Sequence, residues 1–147
     1  MLELKNKKGY SIIEVVFSIA IFIIFSTTVL LISFNSLKLK AHNKEIERYI
    51  DFAEGIENIL IYNYSYDDVI DIKNLNKCYI KNEDINIEIL KLNNLEDILM
   101  RNKPDEKPYA VLSIEESKPL NITLSIHTKI DVDDIVLQFY KGKYYEY

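Results

Sequence analysis

The chain has 147 residues, a formal net charge of −5 and a sequence pI near 5.1. This acidity disfavours a general nucleic-acid-binding protein, which would present a basic surface. Because one long apolar segment takes up part of the chain, the remaining residues suffice for a single small domain.

The first predicted element is a long N-terminal helix. No charged residue occurs from Val15 to Leu37, and Ile, Phe, Val and Leu dominate the run from Ile12 to Phe34. About 20 apolar residues, at a rise of about 1.5 Å each, cross a hydrocarbon core of roughly 30 Å. A cleavable secretory signal has a shorter apolar stretch followed by a small-residue cut site. We therefore expect the helix to remain in the mature protein as a single-pass membrane anchor.

One carboxylate, Glu14, lies just inside the edge of this apolar run. A charge in the middle of a bilayer costs roughly 2.5 to 3.5 kcal/mol and less near the interface, so Glu14 calls for a partner. Flanking lysines do not decide the orientation, because three precede the helix and three follow it: Lys5, Lys7, Lys8, Lys38, Lys40 and Lys44.

The segment Lys7–Val16, with the sequence KKGYSIIEVV, resembles the processing motif of type IV prepilins and type II secretion pseudopilins. The resemblance implies that a prepilin peptidase cuts between Gly9 and Tyr10 and that the new N-terminus at Tyr10 is methylated. It also implies that Glu14 neutralises the N-terminal ammonium of a neighbouring subunit in a filament. Tyr10 stands where phenylalanine is commoner in the family. No glycine or proline lies between Tyr10 and Glu54, so the helix lacks the breakers of many major pilins, which favours a minor pilin or pseudopilin.

The resemblance further implies the partners and the location of the chain. The expected partners are other pilin or pseudopilin subunits, the prepilin peptidase, a membrane platform protein with its assembly ATPase, and membrane lipid, with no nucleic acid. The chain would lie in the inner or cytoplasmic membrane with its head outside the cytoplasm, and after assembly in a cell-surface filament. The alternative is a single-pass membrane-anchored extracellular module that binds a ligand or mediates adhesion.

Beyond Lys40 the helix is predicted to become amphipathic and to end near Tyr62. Its apolar positions recur at helical spacing and should face the head: Ile46, Tyr49, Ile50, Ala53, Ile56, Ile59 and Leu60. We interpret Gly55, inside this stripe, as a point of close packing against the sheet. The chain thus divides into a leader (1–9), a membrane or filament-core half of the helix (10–37), an amphipathic half (38–62) and a β-rich head (63–147).

Within the head the patterns predict a small antiparallel sheet of about four strands. A loop is expected over Tyr62–Asp71, and a short helix over Asn94–Arg101 with Asn94 as its cap and Leu95, Ile98 and Leu99 pointing inward. Asn102–Pro108 should be a loop. The predicted strands are a run alternating at Ile85, Ile87 and Ile89, a hairpin of Tyr109–Glu115 and Leu120–Thr128 joined by residues 116–119, then Ile135–Tyr140, and an edge strand formed by Tyr144, Tyr145 and Tyr147. A long helix packed on this sheet gives an α+β fold.

The sequence predicts neither enzymatic activity nor a cofactor. It contains no nucleophile with a neighbouring base, no phosphate-binding loop and no paired carboxylates. His42 and His127 lack a further ligand at metal-binding spacing. Three aspartates could offer oxygens to calcium, but the glycine and distal glutamate of a calcium loop are missing, so a solvated turn is the favoured interpretation: Asp131, Asp133 and Asp134.

Two further features concern the head. Cys78 is the only cysteine, so no intrachain disulfide is possible, and we expect it to be a small buried apolar residue. The tyrosines form two groups, Tyr62, Tyr64 and Tyr66, and Tyr140, Tyr144, Tyr145 and Tyr147. They would either form an adhesive aromatic surface or simply cover the sheet with their hydroxyls in water.

Overall fold

A computed structural model describes residues 12–129 and 134–143. It confirms the α+β fold, with a long N-terminal helix followed by a four-stranded antiparallel sheet. The chain divides into two compact units, Met1–Asn43 and Lys44–Tyr147. The second unit is larger than the predicted head (63–147) and is called the head from here on; its described residues contain the end of the long helix, three short α-helices and the four strands.

Helix α1 runs from Ile12 to Asn58 and continues into a π-helical turn, Ile59–Asn63. This agrees with the predicted end near Tyr62, and residues 10 and 11 of the predicted helix lie outside the described residues. In the first unit the apolar side chains of α1 are almost all exposed, and its most apolar 18-residue window is 0% buried. By length and composition the helix is able to cross a membrane.

The end of α1 contributes one wall of the head's core. Tyr49, Phe52, Ala53, Ile56 and Leu60 are buried, four of them on the predicted stripe. Phe52 was not assigned to the stripe, although it lies three residues after Tyr49 and four before Ile56. The inward prediction was wrong for Ile50, which is 42% exposed, and was met only in part by Ile46 and Ile59, which are half-buried.

The head closes around the end of α1 with three helices that precede or interrupt the sheet. They are α2 (Tyr66–Asn74), α3 (Ile87–Leu92) and α4 (Leu95–Ile98). The loop predicted over Tyr62–Asp71 is therefore wrong, since the π-helical turn and α2 occupy it. α2 forms because Ser65 and Asp68 make a capping box: the Ser65 hydroxyl accepts from the Asp68 N–H at 3.1 Å, and the Asp68 carboxylate accepts from the Ser65 N–H at 2.8 Å.

The strand predicted at Ile85–Ile89 is also wrong. A 3-10 turn, Asn82–Asp84, leads into α3, and the Asn86 side chain caps α3 by accepting from the Glu88 N–H at 2.9 Å. Because Asn86 caps a helix here, Ile87 and Ile89 lie in α3 and not in the strand that their alternation predicted. The short helix near Asn94 is confirmed but covers only Leu95–Ile98, and the Asn94 side chain makes no capping hydrogen bond. Leu95, Ile98 and Leu99 are buried as expected.

Gly55 packs closely against α3, whereas the sheet was the expected neighbour. A Cβ atom at this position would lie 2.5 Å from Ile87 Cδ1 and 2.9 Å from Leu90 Cδ2. Both distances are below van der Waals contact, so the absence of a side chain on Gly55 lets α3 approach α1.

The sheet has the order β1-β2-β3-β4, formed by Tyr79–Lys81, Tyr109–Glu115, Leu120–His127 and Ile135–Lys141. All neighbouring strands are antiparallel. The predicted hairpin is confirmed, with Leu112 paired to Leu124 in its middle and the Ser117 hydroxyl donating to the Pro119 carbonyl within the turn. Residues 102–108 form the expected loop.

Strand β3 supplies the centre of the core, since Leu120, Ile122, Leu124 and Ile126 alternate inward and are fully buried. Strand β1, which the sequence patterns did not reveal, takes the place of the mispredicted strand beside β2. The edge strand predicted for Tyr144, Tyr145 and Tyr147 lies outside the described residues.

Candidate functional site

The residues that the resemblance assigns to processing lie outside the described part of the chain. Gly9 and Tyr10 precede Ile12, where the description begins, and their roles remain predictions. Glu14 lies in the first turn of α1 with its side chain exposed. Across residues 12–129 and 134–143, no ion pair involves its carboxylate.

The surroundings of Glu14 on α1 are apolar apart from one hydroxyl. Val15, Ser18, Ile19 and Phe22 line the helix surface beside it. The Ser18 hydroxyl donates to the backbone carbonyl of Glu14 at 2.8 Å and leaves the carboxylate uncovered. An unpaired carboxylate on an apolar helix surface is suited to meet a cation from another molecule.

Three further hydroxyls of the apolar segment are bonded to their own helix. Thr27 donates to the carbonyls of Ile23 and Ile24, Thr28 to that of Ile24 at 2.8 Å, and Ser33 to that of Val29 at 2.9 Å. Because these three hydroxyls have acceptors within their own helix, Thr27, Thr28 and Ser33 add little to the cost of placing α1 in hydrocarbon.

The candidate metal ligands do not come together in the described residues. No group of three or more His, Cys, Asp and Glu side chains is placed there to hold a metal ion. His42 lies on α1, whereas His127 ends β3 and its Nδ1 lies 2.7 Å from Asp134 Oδ2. Asp131 and Asp133 lie outside the described residues.

Cys78 is only half-buried, not fully buried as the sequence suggested. Its backbone N–H donates to the Met100 carbonyl at 3.0 Å, and its carbonyl accepts from the Leu112 N–H at 2.8 Å. Partial burial raises the pKa of the thiol. The thiol is thereby kept in its less reactive protonated form.

A cavity of about 530 Å³ opens in the head beside the end of the π-helical turn. Three alternating tyrosines, Tyr62, Tyr64 and Tyr66, line it together with Lys141, the last residue of β4, and Lys143 just after that strand. The sequence pointed to the tyrosines as a group. It gave no sign of the lysines, which lie about 80 positions further along the chain and arrive through the pairing of β4 with β3.

Lys141 is the most unusual group in this cavity, since it is 94% buried. Its ammonium donates to the carbonyls of Leu60 at 2.7 Å and Ile61 at 2.9 Å, at the end of the long helix. Burial lowers the pKa of Lys141, and the field of the Asp68 carboxylate partly counters this effect. Among the described residues, no carboxylate lies within 4.0 Å of its Nζ.

The lining of the cavity also contains a positive and a negative side chain that lie close to each other. Lys143 Nζ lies 3.2 Å from Asp67 Oδ1 and 5.3 Å from the centre of the Tyr66 ring. Tyr64 is half-buried, and burial raises the pKa of its hydroxyl while a hydrogen bond with the backbone of Leu95 opposes the rise. Tyr62, by contrast, is 78% exposed.

Comparison with known proteins adds no identification: no family model, no curated protein and no solved structure matches this chain.

Proposed function

We propose that this chain is a pilin-like structural subunit, a minor pilin or pseudopilin, built into a type IV pilus or related pseudopilus through α1. The observation that carries the proposal is the apolar part of α1, with its exposed side chains and one uncovered carboxylate at Glu14. A plain membrane anchor needs the apolar residues but gains nothing from a carboxylate among them. A helix that packs against copies of itself gains a register-setting ion pair.

In this proposal the chemistry is done to the chain, which is itself not an enzyme. A prepilin peptidase removes residues 1–9 and methylates Tyr10. The mature N-terminus then lies four residues before Glu14, about one helical turn away. Within a dry bundle of helices the carboxylate of one subunit neutralises the ammonium of the next. Opposite charges about 4 Å apart attract by some 4 kcal/mol at an effective dielectric of 20, and desolvation offsets much of this.

Co-expression with a prepilin peptidase, followed by intact-mass measurement of the full chain, tests the proposal. We expect a product that lacks residues 1–9 and carries one added methyl group on Tyr10. The matched control is Gly9→Val, which should stay at full length, because the resemblance places the peptidase's specificity at the glycine. A wild-type chain left uncut, in cells where the same enzyme processes an authentic prepilin, would overturn the proposal.

The second candidate is a single-pass anchored module whose head binds a ligand, and the tyrosine-lined cavity favours it. The mass measurement separates the two, because a plain anchor keeps residues 1–9 and an unmethylated N-terminus. A processed subunit can also carry a ligand site on its head, so the cavity by itself does not argue against a pilin.

A further inference from the structure

We propose that the cavity bounded by Tyr62, Tyr64, Tyr66, Lys141 and Lys143 is a binding site for an acidic sugar, a pyranose ring that bears a carboxylate. All five residues lie in the head, and the inference holds whether or not the chain is processed as a pilin. It concerns what the head recognises, whereas the proposed function concerns how α1 assembles.

The size and the lining of the cavity fit a small ring-shaped ligand. Its volume of about 530 Å³ falls within the range of roughly 300 to 1,000 Å³ that is typical of small-molecule sites. Such sites are mainly aromatic or apolar with a few placed polar groups. Here the aromatic part comes from three tyrosines and the polar part from two lysines, Ser65 and Asp67.

The tyrosines offer a stacking surface at the mouth of the cavity. Tyr62 leaves 78% of its surface in water, which is high for a large aromatic side chain. A sugar ring presents C–H bonds on one face and hydroxyls around its edge. An exposed tyrosine can cover the C–H face, while Asp67 accepts hydrogen bonds from hydroxyls and Lys143 donates to them.

The charge of Lys141 is the reason to expect a carboxylate on the ligand. Its buried ammonium has two neutral carbonyl partners, and no carboxylate lies within ion-pairing distance among the described residues. An ammonium can donate three hydrogen bonds, so one donor remains beyond these two. A carboxylate that enters the cavity would supply the missing opposite charge in a place where water screens the attraction weakly. Phosphate monoesters fit less well: because Lys143 pairs with Asp67, Lys141 alone supplies the remaining positive charge, which matches a singly charged carboxylate and not a doubly charged phosphate.

Saturation-transfer NMR on the full chain in lipid nanodiscs tests the site with two probes. Methyl β-D-glucuronide and methyl β-D-glucoside differ only in the carboxylate at C6. We expect ring protons of the glucuronide to receive saturation and its Kd to be at least about tenfold below that of the glucoside. Equal affinities would overturn the acidic specificity, and the absence of any transfer from a folded chain would overturn the site.

Variants locate the binding. Tyr62→Ala removes an exposed ring without disturbing the core and should weaken glucuronide binding about tenfold, as truncation of an aromatic anchor does. Lys143→Gln should weaken it less. The matched control is Tyr140→Ala, which removes a tyrosine that is 58% exposed on β4 and does not line the cavity. Equal binding by the Tyr62 and Tyr140 variants would place the sugar elsewhere.

A chain that lacks residues 144–147 gives a further test. Sugar binding that begins only after this deletion would mean that the chain fills its own cavity, and would also overturn the proposal.

Discussion

Gly55 lies inside helix α1, where alanine would by itself give a more stable helix. Glycine costs about 1 kcal/mol relative to alanine inside a helix. The contact with Ile87 and Leu90 offsets that cost, because any Cβ atom at position 55 would overlap their terminal carbons. Interiors are packed too densely to absorb such an overlap without moving a neighbouring side chain.

We expect Gly55→Val to lower the head's free energy of unfolding by about 2 kcal/mol, since overpacking of a core typically costs about 1 to 3 kcal/mol. Gly142→Ala is the control, because nothing lies within 4 Å of a Cβ atom at that position, and it should be nearly neutral. Urea titration followed by tyrosine fluorescence measures both. If the Gly55→Val head were as stable as the wild type, α3 would be able to move away from position 55 at no cost in free energy.

Cys78 gives a pH-dependent prediction. Because burial raises the pKa of its thiol, the folded protein holds less thiolate than an exposed cysteine at any pH near 8. Alkylation by iodoacetamide should therefore be slow, and its rate should rise with pH to an inflection at a higher pH than that of an exposed cysteine. In urea the inflection should return to about 8.5. An unchanged inflection on unfolding would contradict the effect of burial.

At the scale of single elements, the capping box of α2 fixes where the chain leaves the long helix. We expect Ser65→Ala to cost about 1 kcal/mol of unfolding free energy, as loss of an N-cap hydroxyl does. Ser113→Ala, at an exposed position in β2, is the control and should change stability by less than about 0.5 kcal/mol. Thermal melts of the two variants make the comparison.

The cost of Ser65→Ala should also depend on pH. The side-chain and backbone bonds of Ser65 lower the pKa of Asp68 in the folded state, and Ser65→Ala removes the first and larger of these two effects. The stability that they contribute is therefore present above the ordinary aspartate pKa of about 3.9 and is lost as the pH falls through the lower folded value. The difference between wild type and Ser65→Ala should be largest near neutral pH and should shrink in acid. A difference that grows in acid would contradict this linkage.

The elements that the sequence revealed are those whose signals extend over many residues. The long helix and the hairpin of β2 and β3 have a periodic pattern over seven or more positions. The elements that it missed depend on one or two side chains. Ser65 with Asp68 starts α2, and Asn86 starts α3, where the alternation of isoleucines indicated a strand.

Strand β1 was missed for a different reason. It has three residues, and it pairs with a strand far along the chain, as Ile80 does with Ala110, which no local pattern records. The same holds for the cavity. Lys141 reaches Leu60 across 81 positions, so only the folded sheet brings the lysine to the tyrosines. Glu14, by contrast, was evident from the sequence because a single charge in an apolar run is a local signal.

For the whole molecule, the proposed assembly depends on one charge. Glu14→Gln keeps the size of the side chain and removes its charge. We expect unchanged membrane insertion, because the apolar residues remain, and at least a roughly tenfold drop in the fraction recovered in sheared filaments. Breaking a buried ion pair costs about 3 to 5 kcal/mol, which is ample for such a drop.

Ser18→Ala is the matched control for Glu14→Gln. It lies one turn further along α1, and its hydroxyl bonds only to its own helix, so filaments should form normally. Carbonate-washed membranes and sheared filaments, compared by immunoblot, report insertion and assembly separately. If Glu14→Gln were recovered in filaments at the wild-type level, the charge of Glu14 would have no role in assembly.

The bonds from Lys141 to Leu60 and Ile61 also set an order of events during biosynthesis. The two carbonyls are made about 80 residues before the ammonium that satisfies them. Until the ribosome has released β4, the end of the long helix lacks its bonds from Lys141 and the sheet lacks its fourth strand. The head can therefore complete its fold only after β4 has been synthesised, about 80 residues after the end of the long helix.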